Sequence, residues 1–379
     1  MPYTIGIDAR KIQDFGIGTY VRNLIRSLAA IDPENRYVLL AKPGDLEGLR
    51  DLPANFQVAL ETSPVYSVRE LFALSWQLYR RRLDLYHSTH YVLPAWVGSK
   101  VVVTIHDIIH LLYPEFLPSN LAFLYAQRMI RRSLQRGDRI IAVSETTRSD
   151  LMQHFDVDGR KIQVVYNGVE DEFRRRLPHE DLQRWLRDLG IAQPYLLFVG
   201  NPAKPHKNLD TVVQAYARAR RMAQFDAPLI CVGSRQGSEF KIRQRAEYLG
   251  IGDKVRLLGH VAQEALPAIY QGAALFLYPT LYEGFGLPVI EAMASGVAVI
   301  TSNTSALKEI AQEGDQPYAL LVDPLDLDGM AKAIAHLMGS PEARERYVEL
   351  GVKRAEQFRW DQTARQTLDI YLSAIEGGA

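Results

Sequence analysis

Glu283 and Glu291 stand with seven residues between them in Y-P-T-L-Y-E-G-F-G-L-P-V-I-E-A-M-A-S-G, residues 278–296. Sugar hydroxyls donate to carboxylates, and one ligand the size of a nucleotide sugar could touch both. Gly284 and Gly286 precede Pro288, a residue suited to the first turn of a helix. Gly284-Phe285-Gly286 can therefore present bare N–H groups to a phosphate or hydroxyl. Acid/base work of the glycosidase kind is the rival chemistry for a carboxylate pair. A helix-capping Glu plus an exposed Glu is the purely structural alternative. The apolar residues around Glu291 argue for its burial, and a buried carboxylate needs partners.

Three other segments carry chemistry. V-G-N-P-A-K-P-H-K-N-L, 199–209, offers Lys207 and Lys204 near a helix start, where a cation opposes the macrodipole unless an anionic ligand offsets it. A solvated loop lysine is the alternative. T-I-H-D-I-I-H, 104–110, follows an apolar run and puts His106 and Asp107 at a strand end, suited to polar contact with a sugar. His106 and His110 have the spacing of metal ligands on a helix, but the H-E-x-x-H glutamate and a third ligand are missing. D-F-G-I-G-T-Y places Gly16 and Gly18 before the first helix, where backbone can approach an anion. Val21 stands where a dinucleotide fingerprint needs a third glycine.

These residues need strands and helices to hold them. Val- and Ile-rich runs predict strands at 4–7, 37–40, 57–60, 101–105, 139–143 and 163–165. Helical periodicity lies between them at 19–30, 69–81, 120–136 and 146–154. The charged stretch E-D-E-F-R-R-R-L-P-H-E after Asn167-Gly168-Val169 reads as a linker. The pattern then restarts, with strands at 195–199, 229–232, 255–258, 274–277, 298–301 and 319–322 and helix from 327 to the end. Two β/α repeats predict an α/β chain of two doubly wound, Rossmann-like domains facing a cleft, bounded at 1–173 and 174–359.

Length and charge narrow the class. With 379 residues the chain can form about two domains. Lys+Arg and Asp+Glu both total 44, which argues against a nucleic-acid binder. One cysteine, Cys231, allows no internal disulfide and fits a reducing cytoplasm. The N-terminus lacks a signal-peptide pattern, and no run of about 18 apolar residues exists to span a membrane. Asp326-x-Asp328 matches a metal motif by letters but sits at a helix start, where Asp caps. Arg128, Arg131, Arg132, Arg136 and Arg139 form either a solvated helix face or a contact with an anionic membrane surface.

In this order the motifs resemble the retaining glycosyltransferases of family 4, which have the GT-B fold. The resemblance covers essentially the whole chain, from G-I-G-T-Y through T-I-H-D, V-Y-N-G-V and P-H-K-N-L to the E-x7-E signature. It implies that Gly18 gives its N–H to the donor phosphates, that His106 contacts the donor sugar and that Lys207 binds the diphosphate. Glu283 would hold the sugar hydroxyls, Glu291 the ribose, and the amides of Phe285, Gly286 and Leu287 the sugar or phosphate. The final helix, 360–379, would cross back onto the first, acceptor-side domain. Many relatives carry Arg where Asn201 stands, so Lys207, with Lys204, takes more of the phosphate charge. P-H-K-N, H-D-I-I and Y-P-E-F resemble bacterial O-antigen and polysaccharide mannosyl- and rhamnosyltransferases.

The implied reaction moves a sugar, with GDP-mannose the implied donor, to a hydroxyl of a glycan or lipid-linked glycan. No metal or other cofactor is expected. The expected location is the cytoplasm, with peripheral contact at the inner membrane face. The alternatives are a non-catalytic sugar-nucleotide scaffold or sensor, a dinucleotide oxidoreductase, which Val21 disfavours, and an epimerase or phosphorylase on the same fold.

Overall fold

A computed structural model describes residues 2–49, 51–62, 68–117, 119–233 and 239–377. The chain divides into two compact units: Met1–Gly168 with Arg359–Ala379, and Val169–Phe358.

The first unit runs β1 (Thr4–Asp8), α1 (Phe15–Ile31), β2 (Arg36–Ala41), β3 (Phe56–Leu60), α2 (Val68–Arg81), β4 (Leu85–Ser88) and β5 (Lys100–Ile105). It continues with α3 (Ile109–Leu112), α4 (Asn120–Arg136), β6 (Arg139–Ala142), α5 (Glu145–His154) and β7 (Ile162–Val164). The strands form one parallel sheet in the order β3-β2-β1-β4-β5-β6-β7. Helices cover both faces, so central strands are buried on both sides. Ile5, Ile7, Val102, Val103, Ile140 and Ile141 are all buried, which is why these strands read as continuous apolar runs.

The second unit runs α6 (Asp171–Arg174), α7 (His179–Asp188), β8 (Leu196–Val199), α8 (Leu209–Ala223), β9 (Leu229–Val232), α9 (Glu239–Tyr248), β10 (Val255–Gly259) and α10 (Leu266–Gln271). Then come β11 (Leu275–Tyr278), α11 (Leu287–Ala294), β12 (Val299–Ser302), α12 (Ser305–Ala311) and the hairpin β13 (Gln312–Glu313) and β14 (Gln316–Pro317). β15 (Leu320–Val322), α13 (Leu327–Gly339) and α14 (Pro341–Ala355) complete the unit. Its main sheet, also parallel, has the order β10-β9-β8-β11-β12-β15. α15 (Trp360–Glu376) returns to the first unit.

Both sheets place the first strand beside the fourth, so each has a topological switch point, β1/β4 and β8/β11. Ligands of open parallel sheets bind beyond the carboxyl ends of the strands there.

Two expectations need correction. The stretch read as a linker is folded into the second unit. Phe173 is buried against Tyr270, and the Arg174 guanidinium donates to the carbonyls of Ala355 and Phe358. Strand β4 went unpredicted because its sequence, L-Y-H-S, ends in two polar residues. His87 is nevertheless fully buried, its Nδ1 2.6 Å from the Tyr371 hydroxyl on α15 and its Nε2 2.8 Å from Thr104 Oγ1.

Candidate functional site

The second unit gathers its chemistry on the loops after β8 and β11. After β8 the chain turns through Asn201, whose Oδ1 accepts the Ala203 N–H at 2.9 Å, and reaches a short helical turn, Pro205–Lys207. Lys207 Nζ lies 2.7 Å from Glu283 Oε1 and 2.8 Å from the Tyr278 hydroxyl. The same hydroxyl donates to Glu283 Oε1 at 3.1 Å, closing a triangle of cation, phenol and carboxylate. Burial opposes charge on Lys207, but the Glu283 carboxylate outweighs it and holds the ammonium above the usual lysine range. An ammonium has three N–H donors, so two bonds leave one for a ligand.

Backbone contacts fix both loops. Asn208 takes the left-handed conformation, φ +59°, and its Nδ2 bridges the carbonyls of Pro279 and Pro324, each at 2.9 Å. The loops after β8, β11 and β15 are thereby tied at one residue beside Lys207. Leu281 N donates to the His206 carbonyl at 2.8 Å. Glu283 N donates to Ser305 Oγ at 3.2 Å, and Ser305 itself has φ +54°.

Gly284, Phe285 and Gly286 lead into α11. Gly286 has φ +107°, which favours glycine, and a Cβ there would lie 2.4 Å from Leu307 Cδ2, so that side chain would also have to move. Leu287 and Pro288 open the first turn; Pro288 has no N–H and Val289 N donates to the Gly286 carbonyl at 2.9 Å. Phe285 is buried edge-to-face on Phe358, which anchors the loop while its neighbours carry the polar backbone. Glu291, on the following turns of α11, accepts from the Tyr270 hydroxyl at 2.9 Å. Burial pushes its carboxyl up to about 7 against the opposing Tyr270 bond, and Glu170 adds to the rise.

The first unit has its own polar cluster at β1/β4. Asp8 ends β1, fully buried, and forms a two-point ion pair with buried Arg10: Nε to Oδ1 at 2.8 Å and Nη2 to Oδ2 at 2.6 Å. Burial would raise the Asp8 carboxyl, but Arg10 pulls it well below the usual carboxylate range. Thr89, just past β4, donates to the Asp8 carbonyl, and its own carbonyl accepts His106 Nε2 at 2.9 Å. A carbonyl can only accept, so Nε2 carries the proton and Nδ1 has its lone pair. Burial lowers the imidazole to about 4, so His106 is neutral at pH 7. It stands edge-on to Tyr20.

Of the expected site residues, the structure brings Lys207 and Glu283 into contact and puts Gly284, Phe285, Gly286, Leu287 and Glu291 on one loop and helix. Lys204 is exposed and outside the triangle. Asp107 accepts the Ile109 N–H at 3.0 Å, a local bond ahead of α3. Gly16 and Gly18 do not precede the first helix, because α1 begins at Phe15. Gly18 donates its N–H to the Asp14 carbonyl at 2.7 Å, so that amide serves the helix and not an anion. Glycine is needed there for another reason: a Cβ would lie 2.4 Å from the Ile12 carbonyl oxygen. Gly16 remains in the first turn, exposed, where amides lack intrahelical acceptors. Among the described residues no group of three or more His, Cys, Asp or Glu is placed to hold a metal ion. Asp326 caps α13 through Gly329 N, and Asp328 pairs with Arg218.

The family described as Glycosyltransferase Family 4 matches residues 16–173, and that described as Glycosyl transferases group 1 matches 183–354. The chain is 31% identical to O-antigen chain mannosyltransferase B of Escherichia coli over 78% of this chain and 76% of that protein. The chain belongs to glycosyltransferase family 4. A second relative, the O-antigen chain mannosyltransferase RfbU of Salmonella typhimurium, is 29% identical over 69% of this chain and 66% of its own. The crystal structure of Anabaena HepE in complex with UDP and glucose superposes with a TM-score of 0.78 at 18% identity, covering 98% of this chain and all of HepE. The fold of this family 4 glycosyltransferase is therefore GT-B.

Several residues around the candidate site carried no readable signal. Tyr278 and Tyr270 lie in apolar runs and read as core. Asn208 reads as a helix cap, yet its side chain makes no cap bond. Asp8-Ala9-Arg10 directly follows a predicted strand, the one signal that could have found that pair.

Proposed function

We propose that this glycosyltransferase moves a mannosyl group from GDP-mannose to a hydroxyl of a glycan or lipid-linked glycan in polysaccharide or O-antigen synthesis. The transfer retains configuration, uses no metal and takes place in the cytoplasm. The observation that carries it is the Lys207–Tyr278–Glu283 triangle beside the glycine loop of α11, at the β8/β11 switch point. The O-antigen mannosyltransferase names of the two relatives support the sugar and the acceptor class. HepE, crystallised with UDP and glucose, supports a nucleotide-sugar donor on this fold.

The donor C1–O bond breaks with its electron pair passing to the diphosphate. The acceptor oxygen bonds C1 from the same face, and the leaving phosphate takes the acceptor proton. Lys207 directs its third N–H to the diphosphate, with the amides at the head of α11 beside it. Glu283 accepts from sugar hydroxyls and Glu291 from the ribose. In the first unit, neutral His106 offers Nδ1 to a sugar hydroxyl.

The first test is thermal stabilisation by GDP-mannose, UDP-sugars, dTDP-rhamnose, ADP-glucose, NAD and free nucleotides, with EDTA present. GDP compounds should raise the Tm in EDTA. Transfer should fall at least about a hundredfold in Lys207→Ala and Glu283→Ala while the far-UV spectrum stays unchanged. Near-normal turnover in both variants would refute the site. Donor binding without transfer or hydrolysis would mean a scaffold, and a shift only with NAD an oxidoreductase.

A further inference from the structure

Each glutamate of the pair has one oxygen tied and one open. Tyr270 donates to Glu291 Oε2 at 2.9 Å. Tyr278 donates to Glu283 Oε1 at 3.1 Å, and the same oxygen accepts from Lys207 Nζ at 2.7 Å. Among the described residues no protein group bonds Glu291 Oε1 or Glu283 Oε2, and neither is a buried orphan atom, so both oxygens reach solvent.

The two phenols that do the tying belong to the core of the second unit. Tyr270 and Tyr278 are at most 1% exposed. Phe276 and Tyr278 stand two apart on β11, share one face of the sheet and stack at 5.7 Å. Phe276 meets Tyr270 of α10 edge-on at 5.3 Å, and Tyr270 meets Phe173 at 5.6 Å. A single ring, Phe276, therefore links the two phenols. Close-packed rings cannot swing, so both hydroxyls are fixed to the frame of the sheet. Burial and the facing carboxylates keep both phenols protonated, so each remains a donor. Turning either carboxylate would break a buried hydrogen bond.

We infer that Tyr270 and Tyr278 are positioning residues that aim the open oxygens, Glu291 Oε1 at a ribose hydroxyl and Glu283 Oε2 at a hydroxyl of the transferred sugar. A site built to bond a hydroxyl rejects a ligand lacking it only while its own polar group is held in place. Tyr270 therefore sets the preference for ribose over deoxyribose. Tyr278 sets the affinity that the sugar adds to the nucleoside diphosphate. The inference rests on the roles of Glu283 and Glu291 in the function proposed above.

The test measures dissociation constants by calorimetry for GDP, its 2′-deoxy and 3′-deoxy forms and GDP-mannose. The same set is run with UDP and UDP-glucose, and the base that binds more tightly is read. Tyr270→Phe should cut the preference for the ribonucleotide at least about fivefold, and leave the ratio of sugar nucleotide to nucleoside diphosphate within about twofold. Tyr278→Phe should do the converse. Each ratio is taken within one variant, so the folded fraction cancels and a merely structural loss moves neither. Glu291→Ala and Glu283→Ala report the glutamates directly. Ratios that respond to the alanine variants but not to the phenylalanine variants overturn the inference and leave the site reading intact. Ratios that respond to none of the four refute the site reading and the inference with it. Both ratios falling together in either phenylalanine variant would mean general loosening and overturn the inference too.

Discussion

At the residue scale, Glu291 is a carboxyl group whose burial costs the fold stability once it ionises. Its carboxyl is raised from an ordinary 4.5 to about 7 by burial. The folded chain therefore holds a proton that the unfolded chain has released between those values. Its contribution is complete below pH 4.5 and is lost as pH rises through 7. Glu291→Gln removes that loss, a gain on the order of 2–3 kcal/mol at pH 8 that vanishes near pH 4.5. Melting curves across this range should show the variant a few degrees above the parent at pH 8 only, while its nucleotide affinity drops. A variant less stable at every pH would show Glu291 to be a structural residue. His106 contrasts with it: already neutral at pH 7, it adds no titration to the transfer rate between pH 5.5 and 8.

At the scale of the element, the site depends on three loops held by single side chains. Asn208 satisfies the carbonyls of Pro279 and Pro324 and takes φ +59° at once. Asn208→Ala should lower stability by about 2–3 kcal/mol, from two unsatisfied carbonyls and a strained backbone. Asn208→Gly relieves only the strain, so it should recover part of the Tm and little of the transfer rate. Equal stability in both variants and the parent would remove Asn208 from this role. The helices and apolar strands were legible in the sequence because their burial is uniform: α4 and β9 fall where periodicity and the apolar run put them. β4 was not, because its buried His87 is satisfied by Thr104 and by Tyr371, nearly three hundred residues away. The start of α1 was misplaced because two glycines read as loop, although one of them only makes room for the Ile12 carbonyl.

At the scale of the whole molecule, the last helix belongs to the unit from which the chain departed. Trp360 meets Tyr20, Thr363 donates to the Tyr166 carbonyl, and Tyr371 meets His87. A Cβ on Gly168 would sit 2.2 Å from Trp360 N, so the two crossing segments fit only with glycine there. A chain ending at Phe358 should lose the first unit's thermal transition or move it down sharply. The second unit should still melt separately. A single unchanged transition would show that α15 contributes little. What the sequence determined by itself was the alternation of strand and helix, the doubly wound class and the motif positions after strands. Those follow from local periodicity and from glycine, proline and charge within a few residues. Tertiary structure alone decided that Tyr278 and Tyr270 hold the two glutamates, and that Arg132 braces the loop at Leu93 and Ala95. Each depends on which buried polar groups from separate segments meet, and a buried hydrogen bond leaves no periodic trace along the chain.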